Sequence, residues 1–201
     1  MNKQPLNFSK FPSTLQRLQL EDMGFTGAID ISHFGDDAAP YSSLELLELD
    51  SCAFSSISLP RNNKAENWGS RERGLIVNLY SNLLEDIKLA RLSAWMTELS
   101  VSYNRIDNGN SELDFKQLRA DNYPNLTSVD LSHNQYFTQV STGLQFDELR
   151  DSKIRFLDLD TNFFRGVFLC MCVCVCVCMC ASRNLCALCV CVGRSLCTVY
   201  V

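Results

Sequence analysis

Cysteine is the residue type with the most evident chemical potential in this chain, and it is concentrated near the C-terminus. Ten of the eleven cysteines follow residue 166, most of them in the alternating run Cys170-Met-Cys-Val-Cys-Val-Cys-Val-Cys-Met-Cys180. Thiolates on one side of an extended chain would suit a soft metal ion such as zinc or copper(I). The valine and methionine spacers would, however, leave an apolar shell without hydrogen-bonding groups around the metal. We therefore expect no metal and no cofactor, and a metal-binding tail is the alternative.

Histidine is the second residue type that could carry chemistry, and the chain has two. His33 lies close in sequence to Asp30, Asp36 and Asp37, so it could be drawn as part of a metal or acid–base site. No second histidine and no nucleophile motif lies in register with it. His133 is at a turn position after a predicted strand. We predict no catalytic residues and no enzymatic activity, and an enzyme remains the rival class of function.

A repeated apolar pattern indicates the elements that position these residues. The two clearest copies are Leu126-x-x-Val129-x-Leu131-x-x-Asn134 and Ile154-x-x-Leu157-x-Leu159-x-x-Asn162. Further copies begin at Met96, Leu44 and Leu15, and a weaker one begins at Val77. Because the apolar residues alternate around the middle of each copy, they would enter the core from one face of a strand.

This spacing resembles the leucine-rich repeat, whose pattern L-x-x-L-x-L-x-x-N-x-L forms a strand, a turn and a return segment. The resemblance implies an α/β solenoid, a curved stack with a parallel β-sheet on its concave face and loops or short helices on its convex face. About six irregular repeats would occupy residues 1–166. Short helices are expected at residues 85–93 and from residue 111 onward, and the polar residues 60–73 are interpreted as a loop insertion.

The asparagine that ends each copy would turn inward, where its amide can donate to and accept from backbone groups of adjacent coils. The residues predicted to form this structural ladder are Asn82, Asn104, Asn134 and Asn162. Met23 and Cys52 occupy the same position in the first two copies, so the ladder is expected to be weaker toward the N-terminus.

Two segments extend the resemblance to plant-type, receptor-like leucine-rich repeats. Residues 20–29 and 159–166 are similar to the extension L-x-x-N-x-F-x-G-x-I, in which the glycine permits a turn. The middle copies lack that glycine. This resemblance implies ligand recognition within a receptor-like protein.

The residues that flank the strand leucines would line the concave face and bind the ligand. Seven of them are acidic and only Arg17 is basic, while Tyr80 and Phe156 add apolar area. The candidate ligand-binding residues are Arg17, Gln19, Glu21, Glu48, Asp50, Asn78, Tyr80, Glu98, Ser100, Asp130, Phe156, Asp158 and Asp160. Their charge predicts a protein or peptide partner with a basic surface. The alternative is that these carboxylates only keep the repeat soluble.

Residues 167–201 are predicted to be a separate low-complexity tail, either disordered or an artefact of the gene model. Alternating valine and cysteine is encoded by a GT dinucleotide repeat, so the tail is hypothesised to be translated microsatellite. Residues 167–181 are uninterruptedly apolar. As a helix they would cover roughly 22 Å, less than the about 30 Å of a bilayer core. A membrane-anchored receptor of the same repeat class is therefore kept as an alternative function.

The net charge and the N-terminal residues limit which binding partners and which cellular compartment we expect. The net charge is −5, and no basic stripe favours nucleic acid as a partner. The first residues lack the apolar run of a signal peptide, so either the protein is intracellular or its beginning lies outside this sequence. Because no capping module precedes Leu15, we expect a fragment of a longer array. The compartment and any membrane association stay open.

Overall fold

The computed structural model describes most of the repeat region and four segments of the tail. The described residues are 8, 11–35, 41–60, 68–107, 115–136, 149, 151–163, 168–171, 176–180, 186–189 and 196–199. Eight strands precede residue 164: β1 (Arg17–Glu21), β2 (Gly27–Asp30), β3 (Leu46–Asp50), β4 (Phe54–Ser58), β5 (Leu75–Asn78), β6 (Met96–Ser100), β7 (Ser128–Asp130) and β8 (Phe156–Asp158). Four follow in the tail: β9 (Phe168–Met171), β10 (Cys176–Cys180), β11 (Cys186–Cys189) and β12 (Leu196–Val199).

One sheet joins β1, β3, β5, β6, β7 and β8 in that order, and all six strands are parallel. Each of the six repeated patterns contributes one of these strands. The inward residues lie side by side across the sheet: Leu18, Leu47, Val77, Leu99, Val129 and Leu157. The chain is therefore a parallel-sheet solenoid, as the sequence predicted.

The core is the space between this sheet and the return segments. Leu47, Leu99, Val129 and Leu157 are at most 2% exposed, and they belong to a single cluster of 34 buried apolar residues in the described part of the chain. Full burial of a side chain of this size contributes roughly 1.5–3 kcal/mol. The stacked inward rows thus supply the main stabilisation of a fold whose successive turns contact only their neighbours.

The helical part of the predicted α/β architecture is not found in the described residues. The return segments contain short 3-10 turns instead, at Ser32–Gly35, Leu89–Arg91 and Phe115–Leu118. Within residues 85–93 the apolar residues described as buried are Ile87, Leu89 and Leu92, a spacing that does not follow the 3.6-residue period of an α-helix. Residues 111–114, where a second helix was expected to begin, lie outside the described residues.

A second, smaller sheet is formed by the return segments of the first two turns. It pairs β2 with β4 in parallel, with a register shift next to Gly27. Gly27 has φ +97°, a conformation that glycine adopts without strain. Phe25, just before β2, stacks on Phe54, the first residue of β4, with ring centroids 6.1 Å apart. The glycine of the sequence pattern thus has a positive φ at the irregularity where β2 begins.

Trp68 shows that residues 60–73 are not wholly a surface loop. Residues 61–67 are outside the described part of the chain, but Trp68 is fully buried. Its carbonyl accepts a hydrogen bond from Ser93 Oγ at 2.5 Å, and the amide of Gly69 donates to Tyr41 O at 3.0 Å. Residues 68–73 belong to no helix or named strand, in agreement with the loop interpretation, but the buried ring of Trp68 packs this end of the segment into the core.

In the tail, residues 167–201, the backbone of four strands is described. β10 pairs in parallel with β8 and antiparallel with β11, so the main sheet extends to eight strands. β9 and β12 form a separate antiparallel pair. The hypothesis that this segment is a translated nucleotide repeat concerns the transcript and stays a prediction.

Every turn that follows a strand of the repeat contains a left-handed residue at the same position, and these residues have φ between 50° and 55°: Asp22, Ser51, Ser81, Tyr103, His133 and Thr161. The first two turns each contain a second residue with positive φ, Gly24 at 55° and Ala53 at 58°. A left-handed residue other than glycine costs roughly 1–2 kcal/mol. Backbone hydrogen bonds to the next turn offset this cost, as between Ser51 N and Tyr80 O at 3.0 Å and between His133 N and Asp160 O at 2.8 Å. The chain thereby bends inward at the same place in each repeat.

An asparagine follows the left-handed residue in four turns and bridges successive coils. In one of these bridges Asn134 Nδ2 donates to Val101 O of the preceding turn at 2.9 Å and to Leu131 O of its own turn at 3.2 Å, while its Oδ1 accepts from Ile106 N at 3.0 Å. The other bridging residues make the same kinds of contact and are Asn82, Asn104 and Asn162. The side-chain amide of one asparagine therefore pairs backbone groups of two successive turns, and these groups have no hydrogen-bond partner in a neighbouring strand.

Cys52 stands at the asparagine position of the second turn and makes part of the same bridge. Its Sγ lies 3.3 Å from Leu20 O of the preceding turn and 3.0 Å from Asp50 O of its own. The backbone of Met23 donates to the sulfur, and burial raises the pKa of the thiol. Met23, at the equivalent position of the first turn, is 49% exposed. A thiol is a weak donor with a single proton, so this bridge is weaker than an amide bridge.

Replacing Asn134 with alanine is expected to lower the free energy of unfolding by about 3 kcal/mol, because buried backbone groups on two turns lose their partners. Urea denaturation of the full chain measures the change. Asn125→Ala is the matched control, since Asn125 accepts a hydrogen bond only from the exposed Lys153 Nζ among the described residues. We expect it to cost less than about 0.5 kcal/mol. Equal losses in the two variants would contradict the bridging role.

Candidate functional site

Side chains that alternate with the buried leucines project from the other side of the main sheet, called the outer face below. Because the strands are parallel and in register, these side chains form three rows across the sheet. The first row is Arg17, Leu46, Ile76, Glu98, Ser128 and Phe156, and the middle row is Gln19, Glu48, Asn78, Ser100, Asp130 and Asp158. The third row, at the carboxyl ends of the strands, is Glu21, Asp50, Tyr80, Ser102, Ser132 and Asp160. All candidate ligand-binding residues lie in these rows.

Glu48 organises the N-terminal half of the middle row. Its carboxylate accepts a hydrogen bond from Gln19 Nε2 at 2.5 Å and another from Asn78 Nδ2 at 3.2 Å. Three adjacent strands are thus tied together by neutral amides around one negative charge. Neutral donors orient the carboxylate without cancelling its charge, so this part of the outer face keeps a negative potential.

Asp130 and Asp158 place two carboxylates side by side on β7 and β8, whose backbones are about 4.8 Å apart in a sheet of this kind. Asp130 Oδ1 accepts from the backbone and the hydroxyl of Ser132, at 3.0 and 2.7 Å. Asp158 Oδ1 accepts from the amide of Asp160 at 2.9 Å. Burial, and after it the charges of Asp130 and Asp160, raise the pKa of Asp158.

Within the described part of the chain, no lysine or arginine forms an ion pair with these three aspartates. The ion pairs found there lie elsewhere and join Arg73 to Glu45, Lys88 to Asp86 and Arg119 to Asp121. One carboxylate oxygen of Asp160 is buried and has no hydrogen-bond partner among the described residues. Asp130, Asp158 and Asp160, called the acidic cluster below, therefore form a concentration of uncompensated negative charge.

The first row of the outer face adds apolar contact area beside the acidic cluster. Phe156 is 40% exposed and Ile76 is 37% exposed. Ser102 and Ser132, in contrast, are buried although they lie in the third row. The surface available to a partner thus combines carboxylates with two apolar side chains, and it is less accessible at the carboxyl ends of β6 and β7.

Three aromatic rings border the outer face at the carboxyl ends of its central strands. Tyr103 stacks on His133 with centroids 3.9 Å apart and an interplanar angle of 17°, and Tyr80 lies 5.2 Å from Tyr103. We call Tyr80, Tyr103 and His133 the aromatic rim. The sequence pattern identified Tyr80 but missed the alignment of the other two rings. Their common position immediately before an asparagine, in consecutive repeats, was the signal that could have revealed it.

The other sequence candidates for chemistry do not assemble into a site. His33 packs against the rings of Phe34 and Tyr41, at centroid distances of 5.1 and 5.7 Å. Asp36 and Asp37 lie outside the described residues. Among those that are described, no group of three or more histidine, cysteine or acidic side chains could hold a metal ion. The same part of the chain contains no helix that is long and apolar enough to cross a membrane.

Asp158→Asn is expected to stabilise the protein at neutral pH. Folding raises the pKa of Asp158, so the folded state disfavours the ionised carboxylate, and stability is gained as pH falls through that pKa. Asparagine keeps the acceptor for Asp160 and removes the charge. Thermal unfolding should therefore show a higher Tm for the variant at pH 7 and no difference by about pH 3, where the aspartate is also neutral. A lower Tm at pH 7 would refute the electrostatic account, and exposed Asp151→Asn is the control.

Comparison with known proteins does not assign the chain to a family. No protein-family model matches the sequence, and no curated protein shows significant similarity to it. The outer face with its acidic cluster and the neighbouring aromatic rim are the features from which a function can be inferred.

Proposed function

We propose that this protein is a binding scaffold of the leucine-rich repeat type. The strand, left-handed turn and asparagine recur in the order of that repeat, and the in-register parallel sheet supports this assignment. Gly27, at φ +97°, supports the narrower resemblance to plant-type, receptor-like repeats because it occupies their glycine position and has a positive φ where β2 begins. In this proposal the chain is part of a receptor-like protein and has no catalytic role.

The ligand is a protein or peptide with a basic surface, and it binds the outer face, which would be the concave face of the repeat stack. The observation that carries this proposal is the acidic cluster, whose carboxylates form no ion pair with a lysine or arginine among the described residues. A cation supplied by a ligand would relieve the repulsion between Asp130 and Asp158 on adjacent strands. Opposite charge also steers encounter and raises the association rate.

The same charge argues against nucleic acid as the ligand. Nucleic-acid binding depends on lysine and arginine side chains that neutralise phosphates. The outer face instead has seven acidic residues and one arginine in its three rows, so it would repel a phosphate backbone. Phe156 and Ile76 offer the apolar contacts that protein interfaces add to their charge pairs.

The proposal is tested with a triple charge reversal, E48K/D130K/D158K, in the full chain under reducing conditions. Fluorescence anisotropy measures binding of a labelled octalysine peptide, with an octaglutamate peptide as the opposite charge. We expect octalysine to bind the unmodified protein, and its affinity should fall with added salt because solvent reaches the charges. It should bind the variant at least about 10-fold more weakly. Octaglutamate should not bind the unmodified protein.

A second triple variant, E72K/E85K/D151K, makes the same change in net charge on exposed residues outside the outer face. It should keep most of the affinity for octalysine. Circular dichroism verifies that both variants remain folded. Equal weakening in the two variants would mean that overall charge alone attracts the peptide, and this outcome contradicts a binding site on the outer face. Absence of octalysine binding to the unmodified protein contradicts the proposal as well.

A further inference from the structure

The aromatic rim is a second feature of this surface, and attraction between opposite charges gives it no role. We propose that the rim and the acidic cluster together form a subsite for an arginine side chain, so that the protein selects arginine over lysine in its basic ligand. This inference rests on the proposed function, since it specifies which cation the outer face recognises. It concerns the residues at the carboxyl ends of β5, β6, β7 and β8.

The rim is held in place before any ligand arrives. Tyr103 and His133 are left-handed turn residues of consecutive repeats. Their backbone amides donate to Ser132 O and Asp160 O, at 3.2 and 2.8 Å. Because the backbone fixes both residues and their rings stack on one another, a ligand would lose little free energy in ordering them.

The rim lies against the acidic cluster. The amide of His133 donates to the carbonyl of Asp160, which places the histidine beside the last strand of the cluster. Among the influences on the pKa of Asp158, burial raises it most and the charge of His133 lowers it. In the proposed subsite, a side chain that lies over the rim reaches the acidic cluster with its end.

Arginine fits both parts of this arrangement. Its planar guanidinium stacks on aromatic faces and can direct N–H groups to two carboxylate oxygens at once. The ammonium of lysine is a compact point charge that cannot stack as a plane. Tyr103 is 49% exposed and Tyr80 is 37% exposed, so ring surface is available to a ligand although His133 covers part of Tyr103.

The test compares three labelled octapeptides of identical spacing, each with four glycines and four copies of arginine, lysine or citrulline. Binding to the full chain is measured by fluorescence anisotropy under reducing conditions. We expect the arginine peptide to bind about 5- to 10-fold more tightly than the lysine peptide, from stacking and paired hydrogen bonds together. The citrulline peptide, which is planar but neutral, should bind more weakly than either.

Tyr103→Asn removes the central ring and should bring the arginine and lysine affinities to within about twofold of each other. Asparagine tolerates the left-handed conformation well, so the turn should be retained. Tyr103→Phe should keep the preference because it keeps the ring. Phe11→Leu is the control for an exposed aromatic residue outside the rim, 38% exposed and preceding β1, and should leave the preference unchanged.

Each result separates the two proposals. Equal binding of the arginine and lysine peptides, or a preference that survives in Tyr103→Asn, would overturn the arginine subsite and leave the proposed function standing. Failure of both cationic peptides to bind would overturn both. A preference that is lost in Tyr103→Asn and kept in Tyr103→Phe would support the subsite.

Discussion

The structure depends on the pairing of backbone groups where each turn leaves the sheet. Strand hydrogen bonds end there, yet the chain must enter a dry core, and an unpaired buried amide or carbonyl is costly. An asparagine side chain meets this requirement because it carries two donors and an acceptor in one small group. The left-handed residue before it directs the amide inward, as His133 does for Asn134. The positions of the leucine rows and of the outer face follow from this bend.

The outer face, in contrast, contains groups that do not stabilise the fold. Burial and neighbouring charge raise the pKa of Asp158, which means that the ionised carboxylate opposes folding at neutral pH. The bridges and the leucine rows are strong enough to tolerate this. Uncompensated charge of this kind is typical of surfaces that meet a partner of opposite charge, where the repulsion between carboxylates becomes attraction.

The sequence predicted the six strands of the repeat and the parallel solenoid because strand alternation and repeat length are both encoded locally. It did not predict β2 and β4. Leu47, Val129 and Leu157 could be placed in the core from their spacing alone. The return segments could not be predicted in this way. Trp68 enters the core from a polar stretch without periodicity, and the short 3-10 turn at Leu89–Arg91 replaces an expected helix. In both places the path is set by packing against neighbouring turns, which a single segment of sequence does not contain.

The candidate site, too, could be predicted from the sequence only in part. The rows of the outer face follow from alternation, so their membership could be derived from residue numbers. The aromatic rim depends on side chains of three repeats that meet only after the turns are stacked. Tyr103 and His133 are also in a left-handed conformation, which is uncommon for residues other than glycine, and no glycine marks the position.

The asparagine bridges also give the solenoid a direction. The acceptor oxygen of each bridge serves the turn before it: Asn104 pairs with the amide of Leu84, Asn134 with that of Ile106, and Asn162 with that of Tyr136. A turn is therefore completed only by the turn that follows. On the ribosome, where the N-terminal part emerges first, the most recently made coil would always be the unfinished one, and each new coil would close its predecessor. The bridges can therefore close in the same order as the chain is synthesised.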